Sequence, residues 1–353
     1  MPSVEEYKTV VQDLSPAGIE IETIRHTDFL RLSYALLSIA NDLKPAVVHA
    51  QGMTSVLASV PIKLFHRIPL IATLHDVAFD KLGSGMMVVF KKAAIRAALF
   101  ISDKIHCVSG AAEKKLIETF PFLERRADRV VMIPNRIETA QFLDAEPRDL
   151  RQELSIDKST RLVGFFGRFM GPKGFRVLIN AVEKYMNGTY AKGKLLILAF
   201  GSGGFIREDK LYLETKGLEP VFRFFPFTPN IASTIKGLDL VVIPSLWETG
   251  PILPLEAMVC GVPIIGTDCI GLHEVLIGTP ATIVKAGDAS ALADALGEKL
   301  SGNLGKREAE NFITKAAIEF DVAQSVSAIQ SLYNELIFVR GHGESRPNST
   351  TGG

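Results

Sequence analysis

The chain has 353 residues, 47% of them hydrophobic and 22% charged, with 39 Lys plus Arg against 39 Asp plus Glu. That length suits two α/β domains better than one core, and the apolar content excludes a disordered chain. A balanced charge provides no field to recruit nucleic acid, and the spacing of Cys107, Cys260 and Cys269 excludes a disulfide framework or a CxxC zinc site.

The first residues, Met1-Pro2-Ser3-Val4-Glu5-Glu6, lack the basic start and apolar core of a secretion signal, so the expected location is cytoplasmic. A helix is predicted over Val4–Leu14 and a strand over Ile19–Ile24. Doubly wound domains open on a strand and a Gly-rich turn. Neither precedes this helix, so the first strand of the first domain is expected to be missing. A partner chain or oligomer contact that completes the domain is therefore among the expected partners.

Strands follow at Ala46–Ala50, Leu70–Leu74, Lys104–Val108 and Val130–Ile133, separated by helical stretches at Leu30–Leu43, Met53–Phe65 and Ala111–Thr119. The apolar stretch Met86–Ile101 is interrupted by Lys91, Lys92 and Arg96 and is too short and charged to span a bilayer. Two readings stay open for it: a buried helix, or an interfacial helix resting peripherally on the inner face of a membrane.

The second half repeats the scheme with strands at Leu162–Phe166, Leu195–Phe200, Val221–Phe225, Leu240–Ile243 and Val262–Gly266. Helices are predicted between them, among them Phe175–Tyr185 and Ile252–Cys260. Apolar, β-branched strands alternating with helices imply parallel sheets covered on both faces. The expected fold is α/β, with two facing Rossmann-like domains. The expected division is 1–143 for the first domain, 144–160 for a polar linker and 161–320 for the second domain. A helix over 321–340 crosses back to the first domain, and 341–353 form a disordered tail.

Ligands of open parallel sheets bind beyond the carboxyl ends of the strands. There the chain places Gly167-Arg168 and Lys173-Gly174, Gly201-Ser202-Gly203, and Pro244-Ser245-Leu246-Trp247-Glu248 in the second half, with His75-Asp76 in the first. Arg168 and Lys173 put two cations on one tight loop, which suits a pyrophosphate that gains charge as a sugar leaves. The same pair also fits a solvated basic loop. Glu248 and Glu256 stand eight positions apart. With Pro251 at the first helical position, Glu256 falls about one and a half turns in, and the amides of Ile252 and Leu253 point out of the helix end toward an anion. Glu256 could accept hydrogen bonds from vicinal ribose hydroxyls. A surface Glu248 and a salt-bridged Glu256 are the structural alternatives.

In this order the segments resemble the glycosyltransferase family 4 group (glycosyl transferases group 1), retaining enzymes of the GT-B fold. The likeness runs from about Val4 to Ile337. It rests on the Gly-Arg…Lys-Gly loop at 167–174, the Gly201-Ser202-Gly203 turn, the Glu-x7-Glu-Ala run at 248–257 and Gly261-Val262-Pro263. Leu74-His75-Asp76, Val108-Ser109 and Ile133-Pro134-Asn135 match weaker positions.

The resemblance implies a catalytic set of His75, Arg168, Lys173 and Glu248. Arg168 and Lys173 would hold the donor diphosphate, Glu256 the ribose and Glu248 the transferred sugar. His75 would reach in from the opposite domain. Gly201, Gly203, Gly250, Ile252 and Leu253 would complete the donor site.

The implied reaction is retaining and metal-independent, from a nucleotide-diphosphate sugar to a hydroxyl of a glycan or lipid-linked acceptor. It would use no cofactor and serve cell-surface polysaccharide or glycoconjugate synthesis. Pro251 stands where the family has Gly, Arg136 replaces Gly after Asn135, and Gln51 stands where a second His is common. A non-catalytic, nucleotide-sugar-binding subunit that needs a partner chain is the alternative. A nucleotide-sugar epimerase would need paired acids placed for elimination, which are not found. No strand leads into the GxGxxG-plus-acid pattern of a dehydrogenase.

Overall fold

The computed structural model describes residues 19–22, 24, 28–75, 86–188, 194–302 and 304–343. The predicted helix at 4–14 and residue 76 lie outside them.

Two parallel sheets organise the chain. The first runs β1 (Val48–Gln51), β2 (Leu70–Thr73), β3 (Lys104–Cys107) and β4 (Val130–Met132) side by side in chain order. Crossovers are made by α2 (Met53–His66), α3 (Met86–Ile101) and α4 (Gly110–Thr119), after a leading α1 (Phe29–Leu43). All four residues of β2 are buried, which explains its unbroken apolar run.

Short helices α5 (Thr139–Leu143) and α6 (Leu150–Glu153) lead to the second sheet. Its strands are β5 (Arg161–Phe166), β6 (Leu195–Phe200), β7 (Phe222–Phe225), β8 (Leu240–Ile243), β9 (Ile264–Thr267) and β10 (Thr282–Val284). Their spatial order is β10-β9-β8-β5-β6-β7, a doubly wound sheet that reverses direction between β5 and β8. That reversal opens a crevice where the strands end. Helices α7 (Phe175–Asn187), α8 (Ile206–Thr215), α9 (Ile231–Lys236), α10 (Leu253–Val259), α11 (His273–Leu276), α12 (Ala289–Ser301) and α13 (Lys306–Glu319) complete this half. One face of the sheet packs Phe165, Phe169, Phe175 and Phe222, with the Phe165 and Phe175 ring centroids 4.8 Å apart. Phe169 is fully buried and anchors the loop that carries Arg168.

The last helix, α14 (Val322–Gly343), returns to the first sheet, where Leu332 and Leu336 pack with Ile71 and Ile133. At the crossing, Ile137 N–H donates to the Phe320 carbonyl (3.0 Å) and Val322 N–H to the Ile137 carbonyl (2.8 Å).

Several expectations change. The described residues of 19–24 form no strand, and Ile19 is half exposed; apolar alternation makes a strand only where a neighbour takes its backbone hydrogen bonds. β1 and β9 each begin two residues later than predicted. β10 was not predicted, because three half-buried residues carry too little pattern. Residues 341–343, assigned to a disordered tail, continue α14.

Candidate functional site

The loop after β5 is shaped by two close approaches. Gly174 has φ +65°, and a Cβ there would lie 1.8 Å from the Pro244 carbonyl oxygen after β8. Only glycine lets these two strand ends meet. Leu246 N–H then donates to the Pro172 carbonyl at 2.8 Å. At Gly201, which follows β6, a Cβ would lie 2.0 Å from the Gly167 oxygen. At Gly203 a Cβ would lie 2.6 Å from the Phe169 backbone nitrogen and oxygen. Gly201 and Gly203 therefore buttress the Arg168 loop.

The joined loops bring Lys173 Nζ to 2.7 Å and 3.0 Å from the two carboxylate oxygens of Glu248. The Ser245 hydroxyl donates to Glu248 Oε1 at 2.7 Å. Glu248 is thus buried but partnered, as a buried charge must be. Arg168 is exposed and has no ion-pair partner among the described residues.

Helix α10 starts later than predicted. Ile252 is its N-cap and Pro254 sits in its first turn, where the missing N–H costs nothing. Pro251 precedes the helix, and Glu256 lies in the first turn rather than one and a half turns in. The Glu256 amide makes a helical bond to the Ile252 carbonyl (3.1 Å). The Glu256 carboxyl is buried with no side-chain hydrogen bond among the described residues, and burial pushes its pKa up to about 7.

Between the domains lies a cavity of about 390 Å³. Arg168, Lys173, Glu248 and Gly250 line it from the second domain, His75 and Asn135 from the first. A smaller cavity of about 100 Å³ shares Lys173 and Glu248 and is lined also by Ile252 and Leu253. Gly201, Gly203 and Glu256 line neither cavity.

The domains meet directly beside this space. The Ser109 hydroxyl, at the N-cap of α4, donates to the Thr249 carbonyl. Asn135 Nδ2 donates to the Gly250 carbonyl (2.9 Å), and Ala111 N–H donates to Glu274 Oε2 (3.0 Å). Trp247 packs against the core of the first domain. His273 opens α11 and is exposed.

His75 Nε2 lies 2.7 Å from Gln51 Oε1, and Gln51 leads back to His49, Thr73, His106 and Tyr333. Sequence reasoning did not assign Ser245, Thr73, His106 or Tyr333. The Ser245–Glu248 spacing of three within the loop was a usable signal. The others are polar residues inside apolar elements with partners tens to hundreds of positions away.

Residues 16–141 match the family model Glycosyltransferase Family 4, and residues 160–301 match Glycosyl transferases group 1. The chain belongs to this family. Among its relatives is the D-inositol 3-phosphate glycosyltransferase of Corynebacterium jeikeium, 28% identical over 56% of this chain and 49% of the relative. The lipopolysaccharide core biosynthesis mannosyltransferase of Rhizobium meliloti is 26% identical, over 65% of this chain and 72% of the relative. The chain spans about half the length of the corynebacterial relative and 66% of the alpha-maltose-1-phosphate synthase of Mycolicibacterium smegmatis.

The fold is GT-B. The Anabaena HepE structure in complex with UDP aligns with a TM-score of 0.77 at 21% identity, covering 93% of this chain and 89% of that one. Sucrose-phosphate synthase from Thermosynechococcus elongatus aligns at 0.74 with 19% identity, over 90% and 81%.

Proposed function

We propose that this family 4 member is a retaining, metal-independent hexosyltransferase. It moves a sugar from a nucleotide diphosphate to a hydroxyl of a glycan or lipid-linked acceptor, in cell-surface polysaccharide or glycoconjugate synthesis. The observation that carries the reading is the cavity at the switch point of the doubly wound sheet, with Arg168, Lys173 and Glu248 on one wall and His75 on the other.

Arg168 and Lys173 receive the charge that develops on the departing diphosphate, each contributing roughly 2–4 kcal/mol of transition-state stabilisation. The smaller cavity beside Ile252 and Leu253 suits a phosphate near backbone amides. Glu256, buried with no side-chain hydrogen bond among the described residues, would accept from ribose hydroxyls. In the step itself the bond from the anomeric carbon to the diphosphate oxygen breaks, and its electron pair leaves with the diphosphate. The acceptor oxygen bonds to the anomeric carbon on the same face and passes its proton to a leaving phosphate oxygen.

A thermal-shift screen against uridine-, guanosine- and adenosine-diphosphate sugars tests donor binding. With a stabilising donor and a simple glycoside acceptor, NMR of the product gives the anomeric configuration. Transfer with retention that persists in a chelator is expected; inversion, or loss of transfer on chelation, would overturn the mechanism.

A further inference from the structure

Behind His75 a line of hydrogen-bonding side chains runs across the carboxyl edge of the first sheet. His106 Nε2 lies 2.8 Å from the Ile133 carbonyl oxygen, and Thr73 Oγ1 lies 2.9 Å from His106 Nδ1. His49 Nε2 is 2.6 Å from the same Thr73 oxygen, and Tyr333 OH is 2.7 Å from His49 Nδ1. Thr73 is fully buried and His106 nearly so. Gln51 bridges outward, with Nε2 3.1 Å from His49 Nε2 and Oε1 2.7 Å from His75 Nε2.

The polarity of this line is fixed at its inner end. A carbonyl can only accept, so His106 Nε2 carries hydrogen. Burial and neighbouring imidazoles hold His106 and His49 below the usual histidine range, which keeps both rings neutral. His106 Nδ1 is then a lone pair, to which the Thr73 hydroxyl donates. The Thr73 oxygen in turn accepts from His49 Nε2–H, and the Tyr333 hydroxyl donates to His49 Nδ1.

This leaves two hydrogens, those of His49 Nε2 and the Gln51 amide, facing each other. A half-turn of the carboxamide exchanges two ends of equal size and resolves the conflict. The Gln51 carbonyl then shares the single His49 Nε2–H with Thr73 Oγ1, and its amide donates to His75 Nε2.

We propose that Gln51 is a positioning residue that fixes His75 with its proton on Nδ1 and a lone pair on Nε2, a choice dictated from the Ile133 carbonyl through His106, Thr73 and His49. Nδ1, which has no partner among the described residues, keeps an N–H to donate to an oxygen of the sugar nucleotide. Tyr333, arriving on α14, closes the line without setting its direction. The significance for transfer rests on the reading of the cavity given above; the tautomer itself does not.

Nitrogen-15 imidazole spectra of the full chain, with His75 assigned through His75→Gln, read the tautomer directly. The wild type is expected to show His75 protonated at Nδ1. In Gln51→Glu an acceptor-only side chain faces His75, so the proton moves to Nε2. Tyr333→Phe is expected to leave the His75 tautomer unchanged. With a donor in hand, Gln51→Glu lowers kcat about 10–100-fold at a nearly constant donor KM. A wild-type proton on Nε2, or a Gln51→Glu chain whose His75 signals do not move, overturns the proposal even if transfer is lost. The expected tautomers in a chain that stabilises with no sugar nucleotide would uphold the positioning role and sink the donor reading instead.

Discussion

Lys173 and Glu248 hold one another at 2.7 Å and 3.0 Å, so the cation proposed for the diphosphate and the carboxylate proposed for the sugar form a single ion pair. Side-chain exposures of 27% and 11% make it a partly buried pair, in which removing one partner costs more than the pair contributes. Lys173→Ala is expected to lower kcat/KM about 10²–10³-fold. Among the described residues it also leaves Glu248 with only the Ser245 hydroxyl, which destabilises the fold by roughly 1–3 kcal/mol. Steady-state kinetics beside urea denaturation separate the two effects; unchanged kcat/KM would remove Lys173 from the donor site.

Glu256 predicts a pH dependence. Its folded pKa of about 7 lies above its ordinary 4.5, so the folded chain binds the proton more tightly than the unfolded chain. The stabilisation is complete below pH 4.5 and is lost as pH rises to about 7, at most about 3 kcal/mol. His49 acts in the opposite sense. Its folded pKa of about 4 costs stability as pH falls from 6.5. The difference between Glu256→Gln and the wild type isolates the carboxyl: the variant should gain relative stability as pH rises from 4.5 to 7. Parallel melting curves across that range would show that Glu256 does not carry the shift.

Gly174 should not tolerate a side chain. Alanine there combines a left-handed backbone with a clash against the Pro244 carbonyl, and is expected to cost about 3 kcal/mol or more. At Gly171, three residues earlier, a Cβ would meet nothing within 4 Å, so Gly171→Ala should stay within about 0.5 kcal/mol of wild type. Urea midpoints of the two variants give the comparison.

Removing α14 should weaken the first domain rather than the second. Leu332 and Leu336 are buried against Ile71 and Ile133, and each contributes roughly 1.5–3 kcal/mol. Deleting residues 322–353 is expected to split calorimetric melting into an early first-domain transition and a later second-domain one. A single unchanged transition would mean that α14 adds little to the first sheet.

The second domain was legible because β5, β6 and β8 are unbroken apolar runs and their loops carry charged residues at fixed spacing. Arg168 and Lys173 could therefore be read as one basic loop at a strand end, and the resemblance to family 4 joined Glu248 to them. The start of α10 was misplaced because Pro251 and Pro254 both fit a helix N-terminus, and only the backbone distinguishes them. Thr73 and His106 could not be assigned. Each is a buried polar residue within a short strand, and its partner is chosen by strand register. Tyr333 lies 284 positions from His49 and meets it only because α14 crosses back.

That crossing has a mechanical consequence. The chain passes between its halves twice, once between β4 and α5 and once before α14, and the paired backbone of Ile137 and Asp321 holds the two passages side by side. Two tethers pinned side by side remove most relative freedoms and leave a swing about one axis. Opening along that axis would break the Ser109–Thr249, Asn135–Gly250 and Ala111–Glu274 hydrogen bonds between the domains. Access to the cavity then depends on hydrogen bonds that each use a side chain, whereas the pivot is held by main chain.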